Sequence, residues 1–410
     1  MKTAVIGGGA AGFFLAINLK EMMPSMQVTI LERSHRLLSK VAVSGGGRCN
    51  CTNTFEGVDD LSEAYPRGHR LMKRLFNLFN HQDAYQWFED HGVRLVTQED
   101  HCVFPASQDA QTIINCFLKE AHRHGIDIKT GTKVDTLLEL KEYDYVAVTT
   151  GGMPHNTIAS TTKEPLNHGN GIEDSLFAHH QLEQPIPSLF TFKINDEKLH
   201  ALMGAVVEDV GTAIPGTKLR ADGPLLVTHW GMSGPAILKL SSYAAQLLYD
   251  NNYQLPLLVN WLHRTDAETA DIINTIAVRH AQKLLSNAYP PQLPSRIWNY
   301  ILEKHLPQQK NRKWSELGKK DLHVLTNALC NDNYHISGRA TFKDEFVTCG
   351  GVSLKNINPS TMESRITPNL YFAGEVLDID GITGGFNFQA AWTTAYCAAK
   401  SIAEKASKTN

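Results

Sequence analysis

The sequence predicts an α/β fold. The chain builds a parallel sheet first, leaves it for a β-rich and a helical segment, and re-enters it at its end. Three observations predict this fold. An apolar strand runs directly into a glycine-rich turn over Gly7–Gly12. Strand-like and helix-like stretches then alternate up to about residue 152. The last seventy residues return to a buried strand followed by glycines and a helix, which is typical of a sheet interrupted by inserted segments.

The glycine turn fits the pattern G-x-G-x-x-G and stands in the context that this pattern requires. It follows the apolar run Ala4–Ile6 and opens a predicted helix over 13–23. The first glycine permits the tight turn, the second lets the backbone approach a pyrophosphate, and the third lets helix and strand pack closely. A second strand, Gln27–Leu31, ends in Glu32, which lies 20 residues beyond Gly12, where a ribose-binding carboxylate is expected. These features together predict a dinucleotide site.

The stretch Ser44–Asn53 is the second informative segment. It contains three consecutive glycines, which cost backbone entropy and favour neither helix nor strand. A flexible loop is one interpretation. The donors of Arg48, Asn50 and Thr52 crowd onto the same loop, however, and this favours a second cofactor contact.

The remaining elements of the first domain follow from periodicity and capping signals. The sequence predicts helices over Leu71–Asp90 and Asp109–His124 and strands at Ile126–Lys129, Lys133–Leu137 and Tyr143–Gly152. The last of these strands ends on glycines, so its tip should lie near the first glycine turn.

The middle of the chain changes character. From residue 190 to 258, short β-like runs separated by Gly, Pro and Asp predict an antiparallel sheet or barrel. Helices are predicted over Asp266–Asn287, Ser295–Lys304 and Lys320–Asn331, and we expect this helical insert to be structural or lid-like. Near the end, a buried strand over Leu370–Glu375 precedes a glycine pair and a last helix, whose N-terminus favours an anion.

These segments predict three domains. A discontinuous first domain should cover residues 1–188 and 340–410, a β-rich substrate domain 189–264, and a helical insert 265–339.

Composition excludes several classes of protein. With a net charge of −3 and a pI near 6.6, the chain gives no electrostatic reason to expect nucleic acid or an anionic membrane as partner. No apolar stretch is long enough to span a bilayer, and the early apolar residues belong to the first strand rather than to a signal peptide. The seven scattered cysteines lack zinc spacing and indicate reduced thiols in a cytoplasmic protein. Cys49 and Cys51 supply only two of the four ligands that a structural metal site needs, so no metal is predicted.

The sequence resembles a bacterial family of NAD(P)/FAD-dependent flavoproteins that includes aminoacetone oxidases and flavoproteins of bile-acid dehydroxylation. The stretches that carry this resemblance are Gly7–Gly12 with Glu32, Ser44–Asn53, Val103–Ser107, His229–Ala236 and Leu370–Ala391. The resemblance implies a Rossmann-like FAD-binding domain of the glutathione-reductase type with an inserted β-rich domain and a helical subdomain. It also implies an oxidoreductase that binds FAD non-covalently.

The resemblance further implies which residues hold FAD. The glycine turn would bind the pyrophosphate and Glu32 the adenosine ribose, while Val134 would offer its backbone to adenine. Ser44 to Asn50 would run along the flavin, and the N–H groups of Gly385 to Asn387 would face its N1/O2 edge. The full set of implied contacts is Gly7, Gly9, Ala10, Ala11, Gly12, Glu32, Arg33, Lys40, Ser44, Gly45, Gly46, Arg48, Cys49, Asn50, Val134, Thr150, Gly151, Gly374, Glu375, Gly385, Phe386 and Asn387.

Catalytic residues are less clearly indicated. Arg48 and His229 are the candidates for contacts with a small-molecule substrate, although each also has a structural interpretation. No C-x-x-C pair occurs, which disfavours a disulfide reductase. No second G-x-G-x-x-G follows a strand, so NAD(P)H would dock transiently or oxygen would reoxidise the flavin. There are two alternatives. One is a non-catalytic flavin-binding redox sensor. The other is a flavoprotein that modifies nucleic acid, which the negative net charge of the chain disfavours.

Overall fold

The computed structural model describes residues 1–153, 175–340 and 347–409. Within this part of the chain, the residues group into two compact units. The first combines Met1–Ile186 with Val347–Asn410, and the second is Pro187–Phe346.

Sixteen strands are found in the described ranges. They are β1 (Lys2–Ile6), β2 (Gln27–Leu31), β3 (Thr52–Asn53), β4 (Leu95–Thr97), β5 (Cys102–Pro105), β6 (Asp127–Lys129), β7 (Tyr145–Val148), β8 (Leu182–Ser188), β9 (Phe192–Ile194), β10 (Val206–Ala213), β11 (Arg220–Thr228), β12 (Gly231–Ser233), β13 (Leu255–Asn260), β14 (Asp332–Arg339), β15 (Val347–Val352) and β16 (Leu370–Phe372).

Thirteen α-helices are found in the same ranges. They are α1 (Ala10–Met22), α2 (Ser39–Gly47), α3 (Leu61–Ala64), α4 (His69–Leu75), α5 (His81–Asp90), α6 (Gln111–Arg123), α7 (Glu197–His200), α8 (Pro235–Tyr243), α9 (Ala245–Asp250), α10 (Asp266–Arg279), α11 (Ser295–His305), α12 (Lys319–Cys330) and α13 (Phe386–Thr409). Short 3-10 helices cover Leu137–Leu140, Leu285–Asn287, Trp314–Glu316 and Leu354–Asn356.

A five-stranded parallel sheet forms the centre of the first unit. Its strand order is β16-β7-β1-β2-β6. The apolar residues of β1 are buried, as a strand covered on both faces requires. Ile6 at the end of β1 lies opposite Val148 at the end of β7, so the predicted proximity of the two strand ends is confirmed. The carboxyl ends of β1, β7 and β16 therefore lie at the same edge of the parallel sheet.

Helix α1 is apolar on every side and packs against α13 and α6. Phe13, Phe14 and Ile17 are completely buried. Asn18, a polar residue buried in this helix, satisfies its amide by donating to the carbonyl oxygen of Phe14 at 2.7 Å. These packing contacts hold α1 in place in the apolar core of the first unit.

The second unit contains a closed antiparallel barrel. Its strand order is β10-β11-β12-β9-β14-β13, with β13 pairing back to β10. This confirms the expected barrel-like β-region. The closing strand β14 lies in the range predicted as helical, while α8 and α9 lie in the range predicted as β-rich. Three completely or nearly buried tryptophans, Trp261, Trp298 and Trp314, belong to the core that the barrel shares with the helices.

The predicted single helix over Leu71–Asp90 is wrong, because the structure has α4 and α5 there. The second helix starts afresh at a capping box. The side chain of Asn80 accepts the N–H groups of Gln82 and Asp83, and Asp83 accepts the N–H of Asn80 at 2.7 Å. This local bonding offers a helix start at residue 80 that hydrophobic spacing alone does not reveal.

The predicted strand over Lys133–Leu137 is also wrong. Glu139 accepts the N–H groups of Asp135 and Thr136 at 3.0 and 2.9 Å, which begins a 3-10 helix instead. The predicted helix over Asp266–Asn287 ends early, at Arg279, because the next residues pair with a later segment of the same unit.

Candidate functional site

The glycine turn between β1 and α1 is shaped by contacts that leave no room for side chains. A Cβ on Gly7, whose φ is +111°, would lie 2.5 Å from the carbonyl oxygen of Thr149. A Cβ on Gly12 would overlap the carbonyl oxygen of Gly7 and lie 2.8 Å from the Thr149 hydroxyl. That hydroxyl donates to the carbonyls of Ile6 and Gly7 at 2.9 and 3.0 Å, which ties the turn to the strand beside it.

Gly9 differs from the other glycines of the turn. It is the N-cap residue of α1 in an extended conformation, and no atom lies within 4 Å of the position of its missing Cβ. The first-turn N–H groups, including those of Ala10 and Ala11, have no partner within the helix. Open space, unpaired donors and the positive end of a helix dipole coincide here. The turn therefore fits a pyrophosphate.

Glu32 lies at the end of β2 and faces this turn. Its carboxylate accepts the N–H of Gly8 and the N–H of Ser34, each at 2.8 Å. Two backbone donors therefore fix the carboxylate, and each oxygen keeps a further lone pair for a ligand. Arg33 is exposed in the next position. The segment that carries Val134 also passes nearby, since Thr132, two residues before it, donates to the backbone carbonyl of Glu32 at 2.8 Å.

A second group of predicted residues lies where β16 ends. Gly374, with φ of +79°, approaches α1 so closely that a Cβ would lie 2.8 Å from the Cβ of Ala11. The next residue, Glu375, pairs with Lys40 and accepts the N–H of Thr348 at 2.9 Å. The resemblance implies that Lys40 contacts FAD, and in this structure its ammonium group pairs with Glu375.

The segment after β7 reaches the same carboxylate. A Cβ on Gly151 would lie 3.8 Å from one oxygen of Glu375, and a Cβ on Gly152 would lie 2.9 Å from the other. Thr150, just before them, is exposed. Sequence reasoning named Thr150 and Gly151 but missed Thr149, Gly152 and Thr348. The run Thr149–Gly152 after a buried strand was the signal that could have found the first two.

The Ser44–Asn53 stretch is a shaped loop. Helix α2 leaves helical geometry at Ser44, and Gly45 and Gly46 have φ of +56° and +69°. Gly45 has a packing reason, since a Cβ there would lie 2.9 Å from the backbone nitrogen of Asn50. The Arg48 guanidinium donates to the Gly45 carbonyl at 3.0 Å and stacks 4.2 Å from the centre of the Phe104 ring. Arg48 therefore supports its own loop in this structure.

Cys49 and Cys51 are completely buried in this loop, with their sulfurs 3.9 Å apart. Burial raises the pKa of the Cys51 thiol well above its ordinary value. Thiolate chemistry at Cys51 is therefore suppressed at neutral pH. All seven cysteines are buried and free.

The last glycine loop, before α13, is held against the Ser44–Asn53 loop. Gly385 has φ of +89°, and a Cβ there would overlap the carbonyl oxygen of Thr52. With its amide turned to satisfy both ends, Asn50 accepts the N–H of Gly385 at 3.3 Å. Phe386 is buried, and its carbonyl accepts the Tyr65 hydroxyl at 3.0 Å.

Side chains of α13 complete this junction. Asn387 clamps the loop, donating to the carbonyl of Gly381 and accepting its N–H, both at 2.8 Å. Gln389 accepts the Thr52 hydroxyl at 2.6 Å and is completely buried. No pattern in the sequence indicates a role for Gln389. Its partner lies 337 positions away, and only the fold brings the two together.

A buried charged group follows Glu375 on the same loop. Asp380 is completely buried and pairs with Arg67. Burial, together with the carboxylates of Glu183 and Asp380, raises the pKa of Asp378 to about 6. The sequence pattern did not pair Asp380 with Arg67, because the two residues are 313 positions apart.

His229 belongs to the second unit, in the turn between β11 and β12. Its ring is exposed and lies 4.5 Å from that of Trp230, which is 42% exposed and has the Lys193 ammonium 5.2 Å from its centre. A shallow groove of about 220 Å³ next to this turn is lined by Met203, Leu226 and neighbouring residues. Both Arg48 and His229 remain predictions as catalytic residues.

Metal ligands and membrane-spanning helices are two further features that bear on function. Among residues 1–153, 175–340 and 347–409, no three His, Cys, Asp or Glu side chains are grouped as a metal site requires. None of the helices in these ranges is both long and apolar enough to cross a membrane.

Comparison with known proteins gives relatives of nearly full length. The chain is 26% identical to a 3-dehydro-bile acid delta(4,6)-reductase of Clostridium scindens, over 98% of this chain and 99% of the relative. It is 28% identical to a ribosomal RNA dihydrouridine synthase of Escherichia coli, over 98% of each. Among solved structures, a 3-ketosteroid delta1-dehydrogenase from Sterolibacterium denitrificans matches with a TM-score of 0.48 and 10% identity, over 98% of this chain and 99% of that one.

The model of one protein family matches residues 1–401, almost the whole chain. Its description, the HI0933-like protein Rossmann domain, agrees with the parallel sheet and glycine turn seen here. The chain belongs to the HI0933-like Rossmann family.

Proposed function

We propose that this protein uses FAD to reduce a carbon–carbon double bond that is conjugated to a carbonyl group. The observation that carries the proposal is the pair of nearly full-length relatives. One acts on the Δ4,6 double bonds of a 3-keto steroid acid and the other forms dihydrouridine. These scaffolds are unrelated, but in both the bond that is reduced lies next to a carbonyl. The shared element is the reaction, so we infer that this chain performs it too.

The described residues support a location for FAD in the first unit. The N–H groups at the start of α1 would hold the pyrophosphate beside Gly9, and Glu32 would bind the ribose hydroxyl groups. Glu375 and Lys40 form an ion pair at the end of β16, next to α1, where they would contact the ribityl chain or a phosphate. Arg33 and the backbone of Val134 would border the adenosine.

The two packed loops would border the flavin. Ser44 to Asn50 and Gly385 to Asn387 contact one another through Asn50 and Gly385. The N–H groups at the start of α13 would lie at the N1/O2 edge, where a helix N-terminus favours the negative charge that reduction brings. FAD supplies the hydride chemistry in such a site. The protein orients the substrate, excludes water and delivers a proton.

Arg48 and His229 keep different roles in this proposal. Because Arg48 already donates to Gly45 and stacks on Phe104, we assign it to holding the flavin loop. The exposed imidazole of His229 is our candidate for a substrate contact or proton donor. Electrons would come from NAD(P)H that docks transiently. Seven buried, unpaired thiols support a reducing, cytoplasmic setting for this reaction.

Anaerobic stopped-flow spectroscopy tests the proposal. The FAD-loaded protein is reduced with one equivalent of NADH, NADPH or dithionite and then mixed with a 4-en-3-one steroid, with uridine in a short RNA, or with a saturated ketone as matched control. We expect reoxidation of the flavin by an unsaturated compound and none by the saturated ketone. Reoxidation by oxygen alone, or reduction of the oxidised flavin by amines, would overturn the proposal. A flavin that never turns over would favour the redox-sensor alternative.

A further inference from the structure

The loop that leads into the last helix has little stiffness of its own. Residues 374–385 join β16 to α13 and contain no helix or strand. They end on Gly384 and Gly385, which have positive φ of +128° and +89°. Glycine has more backbone freedom than any other residue, so this pair does not fix the direction in which α13 begins. Contacts from another part of the chain have to fix it.

A short segment between α3 and α4 runs beside this loop and holds its backbone. The N–H of Ile382 donates to the carbonyl of Ala64 at 2.9 Å. Farther along, Arg67 and Asp380 form an antiparallel bridge. We call residues 64–68 the clamp segment. The clamp segment and the loop both belong to the first unit, which contains the proposed FAD site.

The clamp segment reaches the start of α13 as well as the loop. A Cβ on Gly68, whose φ is +83°, would lie 2.6 Å from the side chain of Ile379, so this side chain packs directly on the backbone of the clamp segment. The hydroxyl of Tyr65, a completely buried residue, donates to the carbonyl of Phe386 at 3.0 Å. Phe386 is the first residue of α13. The clamp segment therefore connects the loop to the helix start.

An ion pair lies within this contact. The Asp380 side chain is completely buried, and the Arg67 side chain is 23% exposed. The guanidinium donates through Nε to one carboxylate oxygen and through Nη2 to the other. A two-point contact of this kind fixes the orientation of both side chains as well as the distance between them.

Stability alone is a poor explanation for this pair. Removing a carboxylate and a guanidinium from water carries a large free-energy penalty that their attraction only partly offsets, and well-packed apolar residues are often as stabilising. A buried pair can instead specify one arrangement of the backbones that carry it, as a buried polar residue fixes the register of a coiled coil. Here those backbones are the clamp segment and the loop before α13.

We propose that Arg67 and Asp380 form a positioning pair for the flavin, which holds the loop so that the N–H groups at the start of α13 face the N1/O2 edge of the ring. This inference rests on the proposed function, because these N–H groups are the donors assigned there to that edge. Donors held in fixed positions stabilise the negative charge that reduction brings to the flavin. The pair acts through the loop and makes bound FAD easier to reduce.

Substitutions that keep both charges test this role. Asp380→Glu shifts the carboxylate by one methylene group, and Arg67→Lys removes the two-point contact, so the direct effect of charge on the flavin stays nearly constant in both variants. Asp332→Glu is the matched control in the second unit. Asp332 is also completely buried, and it pairs with Lys304, whose side chain is 26% exposed.

Three measurements are made on each protein, none of which uses a substrate. Thermal unfolding of the FAD-free protein reports its stability. Titration of the apoprotein with FAD gives the dissociation constant of the oxidised cofactor. A spectroscopic redox titration against a reference dye gives the midpoint potential of the bound flavin. The difference from free FAD gives the ratio of the dissociation constants of reduced and oxidised FAD.

We expect Asp380→Glu to raise this ratio about tenfold, which lowers the midpoint potential by about 30 mV for a two-electron couple. A change of this size lies within the contribution of a helix N-terminus to the binding of an anion. Arg67→Lys should change the ratio in the same direction by about threefold. The side chain of Asn53 still donates to the carbonyl of Gly384 in both variants, so FAD should stay bound.

The control distinguishes positioning of the flavin from general support of the fold. Asp332→Glu should lower the melting temperature, as Asp380→Glu does, and leave the ratio unchanged. A ratio within twofold of the wild-type value in both Asp380→Glu and Arg67→Lys would overturn the proposal. An equal change in Asp332→Glu, or equal weakening of oxidised and reduced FAD, would also overturn it, since either result indicates a loss of packing alone. If Asp380→Glu does not fold, Arg67→Lys decides between these outcomes.

The same proteins separate this proposal from the proposed function. If a conjugated substrate reoxidises the reduced flavin but the ratio is unchanged in both variants, the reductase activity stands and the positioning pair is wrong. If the ratio changes as expected but no unsaturated compound reoxidises the flavin, the positioning pair stands and the proposed reaction is wrong.

Discussion

Replacing Gly9 by alanine should separate nucleotide binding from folding. Gly9 has φ of −96° and ψ of −167°, which alanine adopts without strain, and no atom lies within 4 Å of the new methyl group. Alanine is a poorer N-cap than glycine, which lowers the stability of the folded state. It also reduces the conformational entropy of the unfolded chain, which stabilises the folded state by about 0.4–1 kcal/mol. The two effects oppose each other, so the free energy of unfolding of the FAD-free protein should change by less than about 1 kcal/mol.

The effect on FAD should be much larger. The methyl group would occupy the space through which a pyrophosphate approaches the N–H groups of α1. Loss of one charge-assisted hydrogen bond costs about 1.5–3 kcal/mol, which corresponds to a dissociation constant about 10- to 100-fold higher. The assay is titration of the apoprotein with FAD, followed by flavin fluorescence or calorimetry, alongside urea unfolding of the same apoprotein.

Gly318 provides a matched control for this substitution. It is also the N-cap of a helix, α12, with φ of −84° and ψ of 167°, and the nearest atom to a new Cβ lies 3.9 Å away. Gly318→Ala should therefore change stability as Gly9→Ala does and leave FAD binding unaffected. If Gly9→Ala binds FAD within twofold of the wild type, the pyrophosphate does not lie at the start of α1.

Three further substitutions test other parts of the site. Glu32→Ala should weaken FAD binding at least tenfold, since it removes charged hydrogen bonds worth about 1.5–3 kcal/mol each; an unchanged dissociation constant would show that Glu32 only braces the turn. Gly385→Val should lower the melting temperature with or without FAD, because its φ of +89° and the overlap with Thr52 strain any side chain; normal stability with weak FAD binding would indicate a direct cofactor contact instead. Asp378→Asn should stabilise the protein by about 1–3 kcal/mol at pH 8 but have little effect at pH 4. Burial raises the pKa of Asp378 from 3.8 to about 6, so the folded state holds its proton more tightly and stability falls as pH rises through this range; an equal effect at both pH values in urea unfolding would contradict the assignment.

The parts of the fold that could be predicted are those encoded locally. The second strand was predicted with the bounds that the structure gives, since its apolar run ends sharply at Glu32. The glycine turn could be predicted because the strand, the G-x-G-x-x-G spacing and the helix that define it all lie within one short stretch of sequence. The two wrong elements, at residues 71–90 and 133–137, failed because side-chain capping by Asn80 and Glu139 overrode the hydrophobic pattern.

Features that depend on distant partners could not be predicted. Thr52 and Gln389 form one buried pair across most of the chain, and a sequence pattern shows neither as half of a pair. The strand β14 was hidden in a helical region because it completes a barrel whose other strands come much earlier.

Product analysis of a single anaerobic turnover tests the central claim most directly. The FAD-loaded protein is reduced with NAD(P)H or dithionite in deuterated water, mixed with the 4-en-3-one steroid or the uridine-containing RNA, and the product is examined by mass spectrometry. The account predicts that one of these substrates gains two hydrogen atoms across its conjugated double bond as the flavin is reoxidised. Both are deuterium after reduction with dithionite, because every hydrogen on the reduced flavin nitrogens then comes from the solvent. Recovery of both substrates unchanged, with the flavin still reduced until oxygen is admitted, would contradict it.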